Sequence, residues 1–134
     1  MFPFAASSGP GPAAILYEIA ATLTALGHFT FLLFIVFGAW LGGRSRRWKY
    51  LHIACMGYGV LIEVFYWVCP LTYLEQALWR KAGRGSYDES FVPYYLNKLI
   101  YLEAPQWSLI LAAVAVLAVN LLLYARWSRR PAAC

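Results

Sequence analysis

WKYLHIACMGYGVLIEVFYWVCPLTYLE, residues 48–75, is the stretch whose reading decides the fold. It opens in a basic turn and crosses about twenty mostly apolar residues, enough at ~1.5 Å per residue to span a ~30 Å hydrocarbon layer. That run carries His52 and Glu63, then stops at Cys69-Pro70 and resumes at once in a helical pattern. Ionisable side chains inside a spanning segment are costly and mark candidate functional positions. The spacing predicts a helix over 48–68, ended by Pro70, which cannot continue it.

Working outward, the turn GGRSRRWK holds Arg44, Arg46, Arg47 and Lys49 and no acidic residue. Upstream of it, Pro12 suits a first helical turn, and an apolar run over 13–41 predicts a first span that tilts or protrudes because of its length. Residues 1–12 read as a flexible lead-in. They lack a basic n-region and an A-x-A site, so no removed signal peptide is expected. Downstream, 105–125 predicts a third span, delivering Arg126, Arg129 and Arg130 into a basic tail, 126–134. The positive-inside rule places both basic clusters in the cytoplasm, with the N-terminus outside. The segment 69–104 balances four basic against four acidic residues, as an external loop permits.

That external segment is itself patterned. Thr72-x-x-Glu75 matches a capping box, opening a helix from Tyr73 to about Ala82 with Leu74, Leu78 and Lys81 at helical spacing. FVPYYLNKLIYLE predicts a second short helix. Tyr and Trp concentrate at headgroup level, so the pair is expected to lie on the outer face, with a re-entrant dip of 91–104 as the competing geometry. The expected fold is therefore all-α and integral to the membrane: three transmembrane helices, with two short amphipathic helices between spans two and three.

The 134 residues form a single membrane domain: 62% are hydrophobic and 13% charged, which leaves no separate soluble unit. Seven of the eleven basic residues sit in the two clusters, so the positive charge reflects topology, and no basic-aromatic face is available for nucleic acid. Cys55, Cys69 and Cys134 show no paired framework.

The polar residues align into a seam. In two antiparallel spans joined near Ser45, residues whose numbers sum to about 90 share a depth. This pairs Gly38 with His52, sets Glu18 level with Thr72, and puts His28 opposite Glu63 as mutual partners. Tyr17, Ala21, Thr24, His28 and Ala39 form a stripe on span one, and small residues there permit close helix approach. On span three Asn120 falls near the depth of His52. Two readings of the seam stand side by side. Its polar residues serve as packing glue, or His28, Glu63, His52 and Cys69 hold a cofactor such as haem, quinone or a pigment, with any metal unknown. His28 and His52 miss a common depth by about ten residues, roughly 15 Å, so one protomer does not clamp a haem with both, although a second copy or a partner subunit could supply the second ligand. No HExxH or nucleophile motif suggests a hydrolase, and no inverted repeat suggests a transporter.

HFTFLLFIVFGAWL, the 48–83 stretch beginning WKYLHIACMGYGVLIEVFYWVCPLTYLE, and YDESFVPYYLNKLIY resemble an uncharacterised family of small bacterial integral membrane proteins, domain of unknown function 2784. The resemblance covers most of residues 26–105. It implies no activity, and it marks His28, His52, Glu63, Cys69, Pro70, Thr72 and Glu75 as motif positions. The expected function is that of a small non-catalytic accessory or assembly subunit, packed in the bacterial inner membrane against larger respiratory or photosynthetic subunits. The alternative is a redox or cofactor module built on His28, Glu63 and Cys69.

Overall fold

The structure, a computed structural model, describes residues 10–129. Most of the lead-in, the tail from Arg130 onward and Cys134 lie outside the described residues. Every regular element among the described residues is helical: α1 (Pro12–Phe37), α2 (Ala39–Gly42), α3 (Arg46–Phe65), α4 (Pro70–Lys81), α5 (Phe91–Ile100) and α6 (Gln106–Ser128).

Two of these, α1 and α6, are long and apolar enough to cross a membrane. A third crossing is met by α3 and α4 taken together, a pair bent by 69° at residues 66–69. With 20 residues, α3 is about 30 Å long, which by itself matches the hydrocarbon thickness.

The helix ends follow from local chemistry. Pro12 and Pro70 occupy first-turn positions of α1 and α4, where a missing N–H is harmless. The first span does not run unbroken to residue 41; it is interrupted at Gly38. Helix α3 stops before the expected 68, because Tyr66 takes a left-handed conformation with φ 56° and its N–H bonds back to Glu63. Tyr101 ends α5 in the same way. The third span continues past 125 to Ser128, so Arg126 belongs to helix α6.

Packing departs from expectation most at α4. The capping box is absent: α4 begins at Pro70 with Cys69 before it, and no side chain caps its N-terminus. Thr72 and Glu75 instead point into the protein, buried together with Gln76. Positions i, i+3 and i+4 lie on one face of a helix, and here that face is polar while Tyr73 and Leu74 are exposed. Helix α4 turns by 69° from α3 and runs antiparallel along the first half of α1. Thr72 meets His28, Lys81 sits over the Tyr17 ring, and Arg84 pairs with Glu18 at 2.7 Å. The small-residue stripe predicted on α1 is a packing face, with Ala21 fully buried, but the helix it meets there is α4.

At the opposite end, near the basic turn, the second half of α1 meets α3 and α6. Ala39, Met56 and Tyr124 form a buried cluster, flanked by Ile35, Ile53, Leu117 and Trp127. Helices α3 and α6 run antiparallel, so that Glu63 meets Gln106 at one end and His52 meets Tyr124 at the other.

Candidate functional site

The two ends of the bundle use their polar residues differently. Near the basic turn His52, Tyr124 and the Asn120 amide nitrogen are all engaged, while Asn120 Oδ1 is buried without a partner among the described residues. His52 is fully buried, with Nε2 3.0 Å from the Ile35 carbonyl and Nδ1 2.7 Å from the Tyr124 hydroxyl. A carbonyl only accepts, so Nε2 carries the proton and the Tyr124 hydroxyl donates to Nδ1. One turn position on, Asn120 Nδ2 donates to the Val36 carbonyl at 3.3 Å and to Val116 at 2.8 Å. Both side chains thus satisfy α1 carbonyls just before its interruption at Gly38, and the His52 ring fills the space a Cβ there would need. Sequence depth matching predicted this Gly38–His52 proximity. With both ring nitrogens bonded, His52 has no free nitrogen to offer a cofactor.

Toward the α4–α5 end the three long helices part around a cavity of about 340 Å³. Its walls come from α1, α3 and α6, and Ser90, Phe91 and Val92 close one side. His28, Glu63, Cys69 and Thr72 all line it, together with Gln106. Among the described residues no lysine or arginine does.

His28 and Glu63 do not bond to each other. The His28 ring stacks on Phe91, centroids 4.1 Å apart and planes at 28°, and its Nδ1 lies 3.4 Å from Thr72 Oγ1. Glu63 receives the Gln106 carboxamide, whose Nε2 donates to Oε2 at 2.8 Å and to the Glu63 carbonyl at 3.3 Å. The break at 66–69 explains the mismatch: it swings Thr72 over to α1 and leaves Glu63 beside the start of α6. His28 Nε2 and Glu63 Oε1 make no hydrogen bond among the described residues.

The remaining seam residues are accounted for locally. Thr24 bonds the Ala20 carbonyl of its own helix at 2.8 Å, and Tyr17 lies beneath Lys81. Cys55 and Cys69 are free thiols. Among the described residues no group of three His, Cys, Asp or Glu side chains is close enough to hold a metal ion.

A third polar cluster lies between α4 and α5. Glu75 is fully buried and accepts from Tyr95 Oη at 2.8 Å and Trp79 Nε1 at 3.3 Å through Oε1. Its Oε2 and the Tyr87 hydroxyl are buried without partners among the described residues. Burial, then the neighbouring Glu75 carboxylate, holds both Tyr87 and Tyr95 well above the ordinary tyrosine range. The Tyr95 ring also packs on Phe91 at 4.5 Å, linking this cluster to the cavity wall.

Gln106 and Phe91 were invisible as site residues in the sequence. Gln106 follows a proline at a span boundary, where a polar residue signals only the membrane edge, and Phe91 is one aromatic in an aromatic-rich segment. A family model described as "Protein of Unknown function (DUF2784)" matches residues 18–128. No curated protein and no solved structure matches the chain.

Proposed function

The chain belongs to the DUF2784 family, and from its cavity we propose that it is a membrane binding module that holds a lipid-soluble small molecule between α1, α3 and α6. One observation carries this reading: a mainly apolar cavity of about 340 Å³ that gathers His28, Glu63, Gln106 and Thr72 at one end. Small-molecule sites share this design, with apolar walls and a few convergent polar groups in a volume of roughly 300–1,000 Å³. The polar groups come from four different helices, and glue between two helices does not require such convergence. The charge pattern favours the bacterial inner membrane, with the basic turn and α6 end inside and the N-terminal end outside.

Native mass spectrometry of protein purified in mild detergent, followed by solvent extraction, tests the reading. A stoichiometric lipophilic molecule is expected, lost in an Ala113→Phe variant whose added ring fills the cavity. Wild type carrying no more bound lipophile than that variant would overturn it.

An accessory-subunit role is a second reading, supported by the aromatic side chains left uncovered on the outside, such as Tyr101 at 88% exposure and Trp40 at 71%. Lipid covers such residues equally well, so the cavity ranks first. Co-purification with larger membrane subunits at fixed stoichiometry is the outcome expected of this role, and a monodisperse protein free of partners counts against it.

A further inference from the structure

We infer that the cavity selects an uncharged ring bearing hydroxyl groups, of the quinol (hydroquinone) class, over anionic lipids and over the oxidised quinone. This inference rests on the binding-module reading and adds the chemistry of the occupant.

Charge decides first. The described residues lining the cavity include one carboxylate, Glu63, and no lysine or arginine. A phosphate headgroup entering there would be desolvated beside an anion with no cation to compensate, which is strongly unfavourable. Anionic headgroups are thereby excluded.

Shape and hydrogen bonding narrow the class further. Phe31, Phe91, Tyr66 and Trp67 supply aromatic walls around the polar end, suited to a flat ring. Met56, Val60, Leu109, Val116 and Leu117 continue the lining as an apolar floor for a hydrocarbon tail. Two polar poles remain. On one, His28 keeps Nε2 uncommitted while Thr72 approaches its Nδ1. On the other, Gln106 engages Glu63 Oε2 and leaves Oε1 unbonded.

An ionised carboxylate is acceptor-only. In that ionised form, with Gln106 already donating to Oε2, Glu63 Oε1 calls for a donor on the ligand. A quinone offers only carbonyl acceptors, whereas a quinol offers a hydroxyl to Glu63 and an oxygen to His28. Binding is all that is assigned; no electron leaves the ring in this step.

Cys69 lines the same cavity as a free thiol and reports occupancy through its rate of alkylation, measured in a Cys55→Ser, Cys134→Ser background. The probes are a decyl-bearing benzohydroquinone with every other ring carbon substituted, kept reduced, the matching fully substituted benzoquinone, which has no free ring carbon for thiol addition, a long-chain alcohol and phosphatidylglycerol. The hydroquinone is expected to protect Cys69 at about tenfold lower concentration than the quinone, the difference one hydrogen bond to a charged group makes. Glu63→Gln should erase that preference while leaving alcohol protection unchanged. Equal protection by both ring forms, tighter binding of the quinone, or tightest protection by phosphatidylglycerol would overturn the quinol assignment while the binding module stands. If no lipophile protects Cys69, both readings fall.

Discussion

His28 and Glu63 face the same cavity from different helices and bond to different neighbours, His28 to Thr72 and Glu63 to Gln106. An ion pair between them would have neutralised each side chain and closed the space. The break between α3 and α4 gives each a neutral partner instead, leaving one atom of each side chain uncommitted where the helices part. The polar seam is thus not a closed His28–Glu63 pair.

Gln106 is the residue whose loss should be felt at this site first. Gln106→Leu removes the donor to Glu63 Oε2 while keeping side-chain volume. A partly buried carboxylate left without its donor costs about 1–3 kcal/mol. Thermal unfolding in detergent should show the loss, and Gln106→Leu combined with Glu63→Leu should recover part of it, since removing both partners is far less costly than removing one. An unchanged midpoint in Gln106→Leu would show that the bond contributes nothing.

At the other end, Tyr124→Phe leaves His52 Nδ1 buried with no donor facing it, an expected destabilisation of about 1–3 kcal/mol. His52→Leu should cost at least as much, because it also frees the Ile35 carbonyl. The double variant should cost less than the sum, with a coupling of about 0.5–3 kcal/mol between groups in direct contact. Strict additivity in a thermal or denaturant series would show that the two side chains act independently.

Much of this was legible in the sequence. The spans announced themselves because apolar length is a one-dimensional signal, and Pro12, Pro70 and the basic turn punctuate them; the interruption at Gly38 was not read. Depth matching found Gly38 against His52 because α1 and α3 pack side by side near that turn. It failed at Glu18 and Thr72 because it assumed a straight second span. A left-handed Tyr66 is not written in composition, and once it turns the chain, residue 72 meets 28 rather than 18. The inward face of α4 was misread for a related reason: hydropathy points Leu74 inward, yet Thr72, Glu75 and Gln76 are the buried side chains. Their partners, Tyr95, the Glu89 carbonyl and His28, come from distant stretches of chain.

Gly27 within α1 and Gly38 at its end make a matched pair for stability. A methyl group at Gly38 would lie 2.5 Å from His52 Cδ2, and the ring, bonded on both nitrogens, has little room to move. Gly38→Ala should therefore destabilise by about 1–3 kcal/mol. At Gly27 an added Cβ meets nothing within 4 Å, so Gly27→Ala should stabilise by about 0.5–1 kcal/mol through helix propensity. Opposite signs in one thermal series are expected, and Gly38→Ala matching Gly27→Ala would refute the close approach at His52.

The Glu75 cluster sets the alkaline limit of the segment between α3 and α6. Tyr87 and Tyr95 are held above the ordinary tyrosine pKa by burial and by the Glu75 carboxylate. Since the folded values exceed the unfolded value of about 10, the folded state favours the protonated phenols. Their contribution to stability is complete below pH ~10 and is lost as pH rises above it. Tyrosinate absorption during an alkaline titration should thus show a late component that disappears in the Tyr87→Phe, Tyr95→Phe variant. Glu75→Gln should move that component to lower pH, because it removes the negative charge facing both hydroxyls. An alkaline midpoint and a tyrosinate curve identical in wild type and Glu75→Gln would mean that the carboxylate does not act on the two phenols.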